Sequence, residues 1–306
     1  MPILKKLPIS DTRAFGGQYL NTRLLYVESK DDGDDVTVFK QYWFEELGDV
    51  LKFIGASGCK QVIKRVERDR SRQIEAFGIV DRDSLISAGH NEWLLFFEED
   101  DKTFRAEQPF GPYIHVLLRW EMENYLLHPD VIECYLRNSD GKPRRSREKV
   151  LHDLFSKLPP LIPVLAGKLL LRQFGLPESA LPEKLGRKQT VMASTRGVRS
   201  ILGKHLKEYS DTDQDPSVHL RGLMRKLRGF GKRHPKDSLE RWLAWIRILD
   251  GKHLLNWIFR HAGIDIDHHD IRFHLAYITR AENKIDPELT NLIDKIKRGS
   301  TEENPT

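Results

Sequence analysis

Apolar runs that stop abruptly at a carboxylate set the pattern of the first third of the chain. Residues 24–27, Leu-Leu-Tyr-Val, are strand formers in a continuous apolar run, and they end at Glu28. A charged loop containing Gly33 follows. Val36, Phe39, Trp43 and Leu47 then fall at helical spacing, with Asp34 or Asp35 in position to cap the helix. Residues 50–54 predict a second strand, Gly55-Ala56-Ser57-Gly58 a tight turn, and residues 59–70 a helix with Val62, Ile63 and Val66 on one face. A third apolar run, residues 74–80, delivers Asp81-Arg82-Asp83. The order β-α-β-α-β predicts a parallel sheet with right-handed crossovers.

Residues 84–90 are too few for a crossover helix. Residues 93–97 therefore predict a strand, 98–102 a hairpin turn whose acids are solvated, and 103–106 its return. Residues 114–118 predict the next strand, which ends at Arg119-Trp120-Glu121-Met122-Glu123-Asn124, and Pro129 can open a helix reaching Leu136. Asn138-Ser139-Asp140-Gly141-Lys142-Pro143 is the clearest punctuation in the chain. We therefore expect an α/β domain over 1–140, a helical domain over 141–300 and a disordered tail over 301–306. Helical segments are expected at 146–157, 161–174, 195–209, 217–229, 237–248, 252–261, 268–282 and 287–297, with no internal repeat.

Composition narrows the class. A chain of 306 residues with 39% hydrophobic and 31% charged content can bury a core and remain a soluble globular protein. No apolar run reaches about 18 residues, so no transmembrane helix is expected. Residues 1–6 lack the apolar stretch of a signal peptide. Two cysteines, Cys59 and Cys134, make no disulfide framework, and a reducing cytoplasm is the expected compartment.

The net charge of +5 matters less than its distribution. Residues 31–35 and 98–101 are acidic. Bases gather at Lys142, Arg144, Arg145, Arg147 and Lys149, and again at Lys184, Arg187, Lys188, Arg196, Arg199, Lys204 and Lys207. Arg221, Arg225, Lys226, Arg228, Lys232, Arg233 and Lys236 then follow with no acid among them. An acidic strand edge beside a basic arm suits a polyanion, so nucleic acid is the expected partner; a solvated face or a surface for an acidic protein is the alternative.

Carboxylates placed directly after strands lie side by side at the edge where open α/β sheets bind ligands. Oxygen ligands of this kind suit Mg²⁺ or Mn²⁺, whereas a lone acid after a strand more often caps a helix. These residues carry a resemblance. Val27-Glu28-Ser29-Lys30-Asp31-Asp32, Asp81-Arg82-Asp83 and Met122-Glu123-Asn124-Tyr125-Leu126 resemble the TOPRIM-like family of bacterial defence proteins. Within it, the motif order and the long helical tail are most similar to the nuclease subunit of the PARIS anti-phage system. The chain departs from the common pattern at Ser29, where Gly usually follows the Glu.

The resemblance implies a Rossmann-like TOPRIM sheet and a Mg²⁺ or Mn²⁺ site with Glu28, Asp81 and Asp83 as ligands and Glu123 as a further acid. It also implies an endonuclease toxin, released from an ABC-type ATPase partner on infection and acting on tRNA. The rivals are a DNA nuclease of the overcoming-lysogenization type and a non-catalytic nucleic-acid-binding or assembly subunit. Metals at such acids can supply both a nucleophilic water and a stabilised leaving oxygen.

Lys252, in Asp250-Gly251-Lys252, can offset transition-state charge as the Gly-Lys element of related nucleases does, or can be a surface lysine on a helix capped by Asp250. Asp267-His268-His269-Asp270 with His274 lacks zinc spacing and predicts a polar helix start. Trp242, Trp245, Ile246, Leu249, Leu254, Leu255, Trp257, Ile258 and Phe259 exceed what a thin flanking layer needs. They form either an internal core or the face of a homodimer.

Overall fold

The computed structural model describes residues 22–30, 33–140, 145–159, 161–176, 181, 195–209, 216–261 and 268–298. The chain is α/β, and its strands are ordered β2-β1-β3-β4 in one sheet. It divides into two compact units, residues 1–79 with 287–306 and residues 80–286. That division runs inside β3 (Ala76–Val80) rather than at residues 138–143.

In the first unit β1 (Arg23–Val27) pairs in parallel with β2 (Leu51–Gly55) on one side and β3 on the other, with Leu24 opposite both Lys52 and Ala76. The expected β-α-β-α-β order is thus present. The first helical stretch differs from the expected regular helix capped by an aspartate. Gly33 is the residue before α1 (Asp34–Thr37), and no side chain caps it; Asp34 and Asp35 lie in the first turn. The stretch widens to a π-turn over Val38–Trp43 and tightens to a 3₁₀ turn over Glu45–Leu47. That change of winding gathers Phe39, Trp43 and Phe44 with Phe53 of β2 into one aromatic cluster.

Helix α2 (Cys59–Ser71) packs on β1 through Val62 and Val66 and carries a buried acid, Asp69. The Tyr26 hydroxyl donates to Asp69 at 2.5 Å, and Arg68 adds two hydrogen bonds. Burial, then Asp69, pushes the Tyr26 phenol up to about 12. The pair is therefore a satisfied core interaction.

In the second unit the Val80 carbonyl accepts the Leu117 N–H at 3.0 Å, which anchors the chain just beyond β4 (Ile114–Val116) to the end of β3. The segment between them overturns an expectation. Residues 93–106 form no hairpin; they form α3 (His90–Leu95) and α4 (Asp101–Glu107). Trp93, Phe96 and Phe97 satisfy i, i+3, i+4 spacing and pack on one another, so the apolar run serves a helix face. Asp100 begins the next helix, accepting the Thr103 N–H at 2.8 Å and its hydroxyl at 2.9 Å.

The rest is helical: α5 (Pro129–Asp140), α6 (Arg147–Lys157), α7 (Leu161–Gln173), α8 (Thr195–Tyr209), α9 (Pro216–Gly229), α10 (Leu239–Trp245), α11 (Gly251–His261) and α12 (His268–Ala281). The last helix, α13 (Pro287–Arg298), belongs to the first unit, where the Lys297 carbonyl accepts from Arg23 at 2.8 Å. Helix α7 is buried from Leu161 to Leu171 and packs against α8 and α9. Among the described residues no single helix is long and apolar enough to cross a membrane; only the bent pair Arg147–Ser156 with Leu161–Gln173 reaches that length and composition together.

The nine apolar residues from Trp242 to Phe259 are all buried within the chain. The indole N–H of Trp242 donates to the Leu127 carbonyl and that of Trp245 to the Phe230 carbonyl. They therefore form an internal core, which removes the premise that offered them as a dimer face.

Candidate functional site

The second unit gathers acids around one lysine. The chain leaves β3 at Asp81, whose side chain makes no capping hydrogen bond to the 3₁₀ turn Arg82–Ser87. The bland reading of this acid as a helix cap is thus not what the fold uses. Arg82 points inward and donates to the carbonyls of Leu118 at 2.7 Å, Glu98 at 2.6 Å and Phe96 at 3.0 Å. This anchors the turn, and on it Asp83 accepts from Arg172 of α7 at 2.6 Å.

Beyond β4 the chain turns again at Met122–Leu126. Asn124 pins this turn: its side-chain oxygen accepts the Glu121 N–H at 3.0 Å and its amide donates to the Leu249 carbonyl at 2.8 Å. The start of α11 is thereby held against the turn. Gly251 is required there, since a Cβ would lie 3.0 Å from the Asn124 backbone nitrogen and 2.8 Å from its Cγ.

This contact delivers Lys252. Its backbone N–H donates to Glu121 Oε1 at 2.7 Å and its ammonium to Glu121 Oε2 at 2.8 Å; Glu123 lies 3.7 Å from the same ammonium. Glu121 and Glu123 are both nearly fully buried, whereas Lys252 is half-exposed. Glu123 also pairs with Arg272 of α12. Its Oε1 is buried with charges as its partners and no aligned hydrogen bond.

Burial, then the neighbouring Glu123 and Asp250, pushes the Glu121 carboxyl up, against the charge and hydrogen bond of Lys252, whose N–H and ammonium occupy both of its oxygens as acceptors. Burial pulls Lys252 down, but Glu121, Glu123 and Asp81 outweigh it and hold the ammonium charged. Burial likewise raises Asp83, against the pull of Arg172.

Asp250 is the cap of α11 and a member of the cluster. Its Oδ1 accepts the His253 N–H at 2.9 Å, and its Oδ2 lies 2.7 Å from His253 Nδ1. Lys168, a buried cation on the apolar helix α7, is 2.7 Å from His253 Nε2 and 3.7 Å from Asp250. Nδ1 of His253 thus faces the Asp250 carboxylate, and Nε2 faces the Lys168 ammonium. Burial pushes Asp250 up, and the hydrogen bond and charge of His253, then the Lys168 charge, more than reverse it.

Of the residues singled out in the sequence, Asp81, Asp83, Glu123 and Lys252 thus belong to the second unit, where Lys252 feels the charge of Asp81 and Glu123 and stabilises ionised Asp83. Glu28 belongs to the first, half-buried at the end of β1, with its carbonyl accepting the Gly58 N–H at 2.6 Å.

Glu121, Lys168, Arg172, His253 and Arg272 were not singled out, and Asp250 was read only as the helix cap that it is. A signal existed for two of them: Lys168 and Arg172 are four apart and are the two charged side chains of an otherwise apolar helix. Asp31, Asp32, Lys142, Arg144, Lys184, Arg187, Lys188 and Asp267 lie outside the described residues, as do the side chains of Lys204, Lys207, His268, His269 and Asp270.

The basic arm is exposed. Arg221, Arg225, Lys226 and Arg228 lie on α9, with Lys232 and Arg233 in the turn after it. Arg233 is spent on Glu99, donating to its carbonyl at 2.6 Å, and the Lys226 ammonium sits 3.9 Å from the Phe97 ring centroid. Arg221, Arg225, Arg228 and Lys232 make no ion pair with a described residue.

The acids fit a divalent metal in donor chemistry, being hard oxygen ligands with one buried oxygen, Glu123 Oε1, that faces only charge. In grouping they do not fit: among the described residues no three acids, histidines or cysteines are arranged to hold one ion. Comparison with protein-family models, with curated proteins and with solved structures gave no match.

Proposed function

We propose that this chain is a TOPRIM-like endonuclease of anti-phage defence, cleaving phosphodiesters of nucleic acid, with tRNA as the favoured substrate, after release from an ATPase partner. The observation that carries the reading is the buried cluster in which Asp83, Glu121 and Glu123, at the turns following β3 and β4, surround the charged Lys252 at the start of α11. Ligands of open α/β sheets bind at that edge. Lys252, kept protonated by two carboxylates and still half-exposed, is a fixed positive charge that can offset the charge gathering on a phosphoryl group in its transition state. Glu121 and Glu123 orient it, and Arg172 does the same for Asp83. The resemblance assigns Glu28, Asp81, Asp83 and Glu123 to a divalent cation, which would supply an activated water if bound.

A second reading has its own support. The acids of the cluster are each matched by a base, and no described group is arranged for a metal, which favours a non-catalytic nucleic-acid-binding or assembly subunit in which the cluster is structural. Purified chain incubated with end-labelled tRNA or with plasmid, in Mg²⁺, Mn²⁺ or EDTA, separates the two. The nuclease reading expects cation-dependent cleavage that falls at least about 100-fold in Asp83→Asn and in Lys252→Ala, the scale of losing one positioned charge. Binding without cleavage in any cation leaves the second reading.

A further inference from the structure

A cleft of about 360 Å³ in the second unit is bounded by Ser87, His90, Trp93, Arg172, Gln173 and Gly175. It falls within the roughly 300–1,000 Å³ of small-ligand pockets. Its chemistry is aromatic and neutral. Trp93 is half-buried and braced by two rings outside the cleft lining, stacked on Phe96 at 6.3 Å and edge-on to Phe97 at 5.1 Å. The ring is therefore fixed, and a planar partner would stack on it at little entropic cost. Ser87, His90 and Gln173 are exposed and make no side-chain hydrogen bond with a described residue, so a hydroxyl, an imidazole and an amide stand ready for a ligand's polar edge.

Arg172 does not make the cleft an anion site, because Asp83 already meets its charge at 2.6 Å. It does give the cleft and the carboxylate cluster a common wall. Gly175 ends α7 in the left-handed region at φ +68, and a Cβ there would meet nothing, so the mouth stays open.

We infer that this cleft is a nucleobase subsite, which takes one unstacked base of a single-stranded nucleic acid and so sets the neighbouring phosphate relative to Asp83. The inference deepens the nuclease reading and rests on it for the substrate class. A fixed indole with free hydrogen-bonding groups and no net charge recognises a base rather than a phosphate, and single-stranded nucleic acid is the form that can splay a base out.

The test measures binding of the full chain without divalent cations. Saturation-transfer NMR with AMP, GMP, CMP, UMP and dAMP is expected to mark base protons most strongly. The signal is expected to be lost in Trp93→Ala, weakened in Gln173→Ala and kept in Trp93→Phe, which controls for folding. With a 12-nucleotide single-stranded RNA, Trp93→Ala should weaken binding roughly 5- to 150-fold, the factor that about 1–3 kcal/mol of base–aromatic stacking represents. Signals confined to ribose protons, or RNA affinity unchanged in Trp93→Ala, would overturn the subsite. A chain that takes up bases in this way yet never cleaves keeps the subsite and loses the nuclease reading. One that cleaves but binds RNA equally well as Trp93→Ala loses the subsite alone.

Discussion

Arg82 stands between two acids in sequence, yet its guanidinium is committed to the main chain. It is fully buried, donates to the carbonyls of Leu95, Phe96, Glu98 and Leu118, and lies 4.2 Å from the Phe104 ring centroid. Removing it strands those carbonyls in a dry interior. Arg82→Met should therefore cost on the order of 3–5 kcal/mol, read as a fall in the urea midpoint; a shift under about 1 kcal/mol would show that water replaces the arginine. His128, just before α5, is a second buried titratable group. Burial, with the nearby Lys284, Arg119 and Arg147 charges outweighing Asp130, lowers it from 6.5 to about 4. Between those values the unfolded chain binds the proton and the folded one does not, so stability falls as pH drops through 6.5 and levels off below about 4. The loss at its limit is on the order of 3 kcal/mol. In His128→Asn an oxygen can take the place of Nδ1, which accepts the Asp130 N–H at 3.2 Å, so thermal melting between pH 6.5 and 4 should lose this part of its slope. An unchanged slope would place the titration on another group.

Among the elements, those with a single period were legible and those at chain reversals were not. The strands at β1, β2 and β3 and the segments from α6 to α13 stand close to where apolar spacing and Pro or Gly punctuation put them. Residues 93–106 misled because a five-residue apolar run satisfies either a strand or the inner face of a short helix. The deciding feature, Asp100 capping α4, looked like hairpin-turn chemistry. The candidate site was half legible for a related reason. Acids that follow strands can be read along the chain, but their partners on α7, α11 and α12 come from far away in sequence. Gly251 shows how such a contact is set. An added methyl must displace the start of α11 from the Asn124 turn, so Gly251→Ala should destabilise by about 1–3 kcal/mol despite alanine's better helix propensity. Gly222, exposed on α9 with open space around its missing Cβ, is the control: Gly222→Ala should stabilise by about 0.5–1 kcal/mol. Denaturant midpoints of the two variants are expected to move in opposite directions; movement in the same direction would mean that the turn yields freely.

For the whole molecule, the balance of charge matters less than which cations are already spent. The formal excess is only +5, and the bases of the buried cluster are each opposed by an acid. Arg221, Arg225, Arg228 and Lys232 are different: they are exposed and make no ion pair with a described residue, on a run without acids from Arg221 to Lys236. Unspent cations are the ones that release counterions from a polyanion, and the salt dependence of binding counts them. A triple reversal of Arg221, Arg225 and Arg228 to Glu should weaken RNA binding and flatten the plot of log affinity against log salt by about 2 units, at about 0.7 per single-strand phosphate contact. Lys226 and Arg233 are partly occupied by Phe97 and Glu99, so reversing them should change the slope less per residue. Circular dichroism should be unchanged, since these side chains support no core contact. RNA affinity and slope equal to the parent chain would remove this face from nucleic-acid binding, and a simultaneous loss of ATPase association would assign it to a protein partner instead.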